Sequence, residues 1–134
     1  MKAGFILDAS ALLAWLFNEP GKEQVSAALK KGCLINTVNW TEVVQKSIER
    51  GMSSALVYER LKASYILDSA LKITSFTEAL SITAAELIKQ TKPFGLSLGD
   101  RACLAFGMER KQPILTAERI WADIEVPVPI QLIR

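Results

Sequence analysis

The chain has no histidine, and that single absence excludes Ser-His-Asp and Cys-His nucleophiles, imidazole acid/base pairs and His-ligated metals. Any catalysis must rest on carboxylates, hydroxyls, basic side chains or an oxygen-liganded ion. Cysteine is nearly absent too. Cys33 and Cys103 are far apart with no thiol neighbour, so neither a zinc site nor a disulfide framework has its ligands, and both thiols are expected to be reduced and buried, as in a cytoplasmic protein. Aromatic residues make up only 7% while aliphatic and small residues dominate, a balance typical of helices packed over a sheet rather than a disordered or fibrous chain. No apolar run reaches membrane-spanning length. Nor is there an excess of one charge: 16 basic against 14 acidic side chains give +2, a balance that permits nucleic-acid binding without advertising it.

What remains is a chain of 134 residues, half of them hydrophobic and 22% charged, enough to bury one core and too few for two. A single domain spanning residues 1–134 is expected. Lys2 followed by the apolar run Ala9–Phe17 superficially resembles a signal peptide. Asp8 immediately precedes that run and Asn18-Glu19-Pro20-Gly21 reads as a turn, so a buried first strand and helix fit better.

Periodicity and punctuation give an alternation of strands and helices. Strands are predicted at Gly4–Leu7, Cys33–Thr37, Leu71–Thr74, Pro113–Thr116 and Ile130–Ile133, the last at a sheet edge because Pro127 and Pro129 are close by. Helices are predicted at Ser10–Phe17, Lys22–Lys31 (stopped by Gly32), Asn39–Arg50 (closed by Gly51) and Ser53 to about Leu67, with Ala55, Leu56, Leu61 and Tyr65 as apolar positions. Further helices are predicted after the caps Thr77 (to Thr91) and Ser97 (to Arg110), and a short one from about Glu118 to Ile124. This order implies an α/β fold, three layers in α/β/α arrangement around a four- to five-stranded parallel sheet with right-handed crossovers.

Ligands of open parallel sheets bind beyond the carboxyl ends of the strands. Four acids fall there: Asp8 directly after the first strand, Glu42 in the opening turn of the helix after the second, Asp100 in the opening turn of the helix before the fourth, and Glu118 just past the fourth. Each also has an ordinary reading. Asn39…Glu42 and Ser97…Asp100 have capping-box spacing, Asp8 can close an Asx turn with the amide of Ser10, and Glu118 suits the first turn of a helix. Gathered in one pocket, however, the four would raise one another's pKa unless a cation neutralised them. A hard, oxygen-liganded ion, Mg²⁺ or Mn²⁺, is the natural partner.

The segments Phe5-Ile6-Leu7-Asp8-Ala9-Ser10-Ala11-Leu12-Leu13, Asn39-Trp40-Thr41-Glu42-Val43, Leu96-Ser97-Leu98-Gly99-Asp100-Arg101-Ala102-Cys103-Leu104-Ala105 and Ile114-Leu115-Thr116-Ala117-Glu118-Arg119-Ile120-Trp121-Ala122 together resemble the PIN domain, most closely the VapC-type toxins of bacterial toxin–antitoxin pairs. The resemblance covers essentially the whole chain in order, to the closing Ile130-Gln131-Leu132-Ile133-Arg134. It implies a Mg²⁺- or Mn²⁺-dependent endoribonuclease acting on structured RNA such as tRNA or rRNA, cytoplasmic, usually a homodimer, and silenced by a cognate VapB-like antitoxin. Asp8, Glu42 and Asp100 match the family's most characteristic acidic positions, and Ser10 and Thr116 match the hydroxyls that support the first and last acids. Glu118 departs from the usual Thr-Ala-Asp-Arg. Its extra methylene moves the carboxylate, so that contact with metal is expected through water or not at all, and Asp123 is expected to stay solvated rather than replace it.

Arg101 and Arg119 adjoin two of the acids; they suit RNA phosphates, against the plainer reading of ion pairs that order the carboxylates. Lys46, Arg50, Lys62 and Lys111 are candidates for a path along the RNA backbone, against the plain reading of solvated helix faces. Trp15, Trp40 and Trp121 are expected in the core or an interface rather than stacked on bases. Val57, Tyr58 and Leu61 are candidates for an antitoxin groove, with core packing or the homodimer seam as the alternatives. Two rival functions accompany the nuclease: a non-cleaving RNA-binding or regulatory module with a degenerate metal site, and a phosphoacceptor signalling domain. The latter needs an acidic pair at the first strand, an acceptor aspartate after the third and a lysine after the fifth, none of which is present.

Overall fold

A computed structural model describes residues 4–64, 66 and 69–134. Five short strands, β1 (Phe5–Leu7), β2 (Cys33–Asn36), β3 (Leu71–Thr74), β4 (Ile114–Thr116) and β5 (Ile130–Leu132), form one sheet in the order β3-β2-β1-β4-β5. Every pairing is parallel. The helices between them are α1 (Ala9–Leu16), α2 (Lys22–Lys31), α3 (Thr37–Glu49), α4 (Ser54–Ala63), α5 (Glu78–Glu86), α6 (Ile88–Thr91) and α7 (Leu98–Arg110).

Because successive strand residues face opposite sides, each central strand feeds two cores. Leu7, Ile35 and Leu115 pack with α1 to α4, whereas Ile6, Leu34 and Ile114 pack with α5, α7 and Trp121 on the other face. These strands are apolar on both sides because both are covered, as parallel sheets require. The three-layer expectation holds, with five strands in the sheet.

The winding matters for function. From β1 the chain proceeds outward to β2 and β3, then returns to the other side of β1 to lay down β4 and β5. The crossovers on the two flanks diverge between β1 and β4, leaving a crevice at the carboxyl ends of those two strands. Asp8 and Thr116 sit at that point.

Several boundaries differ from expectation. α3 starts at Thr37, because the buried Asn36, not Asn39, is its cap, accepting the amides of Val38 and Asn39 at 2.9 and 3.0 Å. α1 begins at Ala9 with Asp8 as cap. The segment expected as one helix after Thr77 breaks at Leu87, and the turn after Glu118 is a 3₁₀ helix over Arg119–Asp123. α4 ends at Ala63; the positions Tyr65 and Leu67 lie outside the described residues. Val57 and Leu61 are fully buried because they form the face of α4 that packs with α3 into the first core, so they line no groove. Tyr58 is 39% exposed and meets Trp40 edge to face, 5.4 Å between ring centres. Trp40 and Trp121 are core residues and Trp15 is half-buried. Both cysteines are buried and free. Among the described residues no helix is long and apolar enough to cross a membrane.

Candidate functional site

Asp8 leaves β1 at the crevice and, as the cap of α1, accepts the Ala11 amide on Oδ1 at 2.9 Å. Two hydroxyls complete its shell. Ser10 donates to both carboxylate oxygens at 2.8 and 2.9 Å, and Thr116, from the end of β4, donates to Oδ2 at 2.6 Å. Each hydroxyl is itself oriented by a backbone amide of the loop after β4, Ala117 to Ser10 at 2.9 Å and Glu118 to Thr116 at 3.0 Å. The hydroxyl protons are thus directed at the carboxylate, and an amide takes one lone pair of each oxygen.

These donors favour the charged form, yet burial outweighs them. Asp8 is only 4% exposed, and desolvation pushes its pKa up to about 7 against the pull of Thr116, Ala11 and Ser10, with Glu118 adding repulsion. The Asx turn with the Ser10 amide does not form; the cap reaches one residue further, to Ala11.

Glu42 lies one turn into α3. The capping box expected with Asn39 does not exist, since Asn39 is inside the helix and buried. Its carboxamide does something else, donating to Glu42 Oε1 at 2.8 Å and to the Gly99 carbonyl, at the start of α7, at 2.9 Å. Asn36 fixes that amide by donating to Asn39 Oδ1 at 2.8 Å, while reaching the Ala102 carbonyl at 3.3 Å. Two buried asparagines therefore tie α3 to α7 and hold Glu42 between them. Burial raises the Glu42 pKa, Asn39 opposes the rise, the Asp100 charge adds to it, Lys46 opposes it and Glu118 adds again.

Asp100 is part of a capping box: its Oδ2 accepts the Ser97 amide at 2.8 Å and its own amide meets Ser97 Oγ at 3.2 Å. The ordinary reading of this acid thus holds, and the residue faces the crevice as well.

A cleft of about 120 Å³ is lined by Asp8, Ala9, Ser10, Leu13, Asn39, Glu42, Lys46, Asp100 and Glu118. All four acids meet there, from four separate segments, with one lysine among them. Thr116 lies beneath Asp8, fully buried. Arg101 and Arg119 do not line the cleft. Arg101 is half-buried and donates to the Leu96 carbonyl at 3.1 Å, Arg119 is exposed, and among the described residues neither makes an ion pair. Asp123 is exposed. Sequence reasoning missed Asn39, Asn36 and Gly99 as parts of the site; the signal available was the Asn36–Asn39 spacing straddling a strand end.

The donors suit a hard divalent ion. All are oxygens, and the acids perturb one another's ionisation in the way a bound cation relieves. Among the described residues no three carboxylates converge on one metal position. The arrangement therefore fits an ion that keeps several waters and takes one or two carboxylates directly, the habit of Mg²⁺.

The family model of the PIN domain matches residues 5–127 of this chain. The chain belongs to that family. Among solved structures, the DNA-bound VapBC of Salmonella typhimurium superposes with TM-score 0.70 over 100% of both chains at 14% identity. A toxin–antitoxin complex from Klebsiella pneumoniae gives 0.71 over 98% of each at 16%. Mycobacterium tuberculosis VapC20, a Sarcin-Ricin loop cleaving toxin, gives 0.71 over 94% of this chain and 99% of its own at 14%. At such identities the likeness is one of fold. No curated protein matches the chain by sequence.

Proposed function

We propose that this protein is the toxin of a VapBC-type pair, a Mg²⁺- or Mn²⁺-dependent endoribonuclease that cleaves phosphodiester bonds of structured RNA, tRNA or rRNA. The observation that carries the reading is the meeting of Asp8, Glu42, Asp100 and Glu118, from four segments, in one cleft. Family membership and the toxin structures that share the fold support it.

Asp8, Glu42 and Asp100 are assigned to the ion, one or two of them directly and the rest through water, as is Glu118, exposed at the mouth of the cleft. When bound, the ion supplies Lewis acidity, lowering the pKa of water and offsetting charge on the phosphate. The chain's own groups do the rest. Ser10 and Thr116 fix the direction of the Asp8 oxygens, Asn39 fixes Glu42, and the buried floor under Asp8 keeps bulk water from screening the charges. Lys46, on the rim, and Arg101 and Arg119, flanking two of the acids in sequence, are assigned to RNA phosphates, which give affinity without sequence information. A VapB-like antitoxin, a homodimer and a cytoplasmic location complete the reading, the first by analogy with the toxin–antitoxin complexes.

The test is to incubate the purified protein with total RNA in Mn²⁺, in Mg²⁺ and in chelator, alongside Asp8→Asn. Metal-dependent cleavage absent from the variant is the expected result. Equal background in every tube would instead favour a non-cleaving RNA-binding module.

A further inference from the structure

Gly99 is buried in the first turn of α7, where helix propensity favours alanine over glycine. Its backbone is not left-handed, so conformation does not call for glycine. Space does. A Cβ at residue 99 would lie 2.6 Å from Glu42 Cδ and 2.7 Å from Oε1, and closer still to Oε2. No other group lies among its nearest neighbours. The Glu42 carboxylate therefore rests flat against the bare Cα of Gly99, while Asn39 bonds simultaneously to that carboxylate and to the Gly99 carbonyl. Asp100, the next residue, lines the same cleft.

We propose that Gly99 is a positioning residue: its missing side chain is the seat that sets the Glu42 carboxylate beside Asp100 for metal binding. The inference rests on the nuclease reading for what the seat serves, and on packing alone for the seat itself. Any side chain at residue 99 must push Glu42 off its bond from Asn39. The obstructing atoms are the far end of a flexible side chain, so the fold can absorb the change while the carboxylate cannot keep its place.

The test compares Gly99→Ala with wild type in three readouts: melting temperature in chelator, Mn²⁺ affinity by calorimetry together with the Mn²⁺-induced rise in melting temperature, and RNA cleavage. The same comparison is then repeated in a Glu42→Ala background, where the three atoms nearest the added methyl are gone. Gly99→Ala is expected to melt at or above wild type without metal, yet to bind Mn²⁺ about tenfold more weakly and to cleave correspondingly less, as happens when a ligand loses the groups that orient it. In the Glu42→Ala background, adding Gly99→Ala is expected to cause no further loss of Mn²⁺ binding. Wild-type Mn²⁺ affinity in Gly99→Ala overturns the proposal. So does an equal further loss in the Glu42→Ala background, and so does unfolding that Glu42→Ala does not reverse. A wild type that binds Mn²⁺ without cutting RNA sinks the nuclease reading and leaves the affinity test decisive; one that binds no Mn²⁺ sinks both.

Discussion

Asp8→Asn should stabilise the metal-free protein while removing its activity. The carboxyl's ordinary pKa of 3.8 becomes about 7 in the fold, so above neutrality folding carries the cost of a buried charge. A folded-state pKa above the unfolded one means that the folded chain binds more protons between the two values. Stability is then highest below pH 3.8 and falls as pH rises through 7. The full difference corresponds to about 4 kcal/mol. An asparagine keeps the acceptor that Ala11 uses but brings an NH₂ that the Ser10 and Thr116 hydroxyls must turn to receive, which offsets about 1–2 kcal/mol of the gain. The variant should therefore exceed wild type by about 2–3 kcal/mol at about pH 8 in chelator, a rise in melting temperature on the order of 5–10 °C for a chain of this size. That advantage should shrink by about 2–3 kcal/mol on going to about pH 5, where wild-type Asp8 is mostly protonated in the fold. Added Mn²⁺ should narrow the gap at pH 8, because under the proposed function the ion would bind folded wild type and not the variant. Urea titrations across that range measure all three quantities. An Asp8→Asn protein no more stable than wild type at pH 8, or an advantage that ignores pH, would refute the argument that burial of an ionised Asp8 opposes folding.

Three other expectations follow from contacts described above or at the chain's far end. Thr116→Val removes the 2.6 Å donor to Asp8 Oδ2 and the acceptor of the Glu118 amide, which favours the protonated carboxyl; the acidic limb of the pH–cleavage profile should move to higher pH, and Thr116→Ser should restore it. Gly21 has φ +97°, and a Cβ there would lie 2.7 Å from the Ile133 carbonyl oxygen; Gly21→Ala should lower the unfolding free energy by about 2–4 kcal/mol in denaturant titration, combining the positive-φ penalty with a displaced C-terminal segment. Trp121 is 1% exposed beneath the second core, so Trp121→Ala should cost about 3–5 kcal/mol by the same measurement.

The sheet was legible in the chain itself because its strands are short apolar runs buried on both faces, each bounded by a turn residue or a cap, and nothing nonlocal is needed to see them. The same holds for the Ser97–Asp100 capping box, whose partners are three residues apart. The acids at strand ends were legible because chain direction in a parallel sheet sends every strand's carboxyl end to one edge, so Asp8, Glu42, Asp100 and Glu118 had to fall on the same side.

What local pattern does not carry is competition among nearby residues for one role. Asn36 and Asn39 both offer a capping side chain before the same helix. Asn36 takes the position because β2 extends to it and its carboxamide also reaches the Ala102 carbonyl, a contact 66 residues away in the chain. That choice releases Asn39 into the helix, where it grips Glu42 and Gly99, and only the packing of α3 against α7 makes the grip exist. Likewise, Val57 and Leu61 read equally as groove, seam or core until the packing of α4 with α3 puts them in the first core. The sequence by itself determines the order of the elements, the two apolar faces and the edge at which the acids stand, since these follow from periodicity and chain direction. Tertiary structure alone decides which oxygen meets which donor, how deeply Asp8 is desolvated and why residue 99 bears no side chain, because those depend on distances between segments that the chain brings together only when folded.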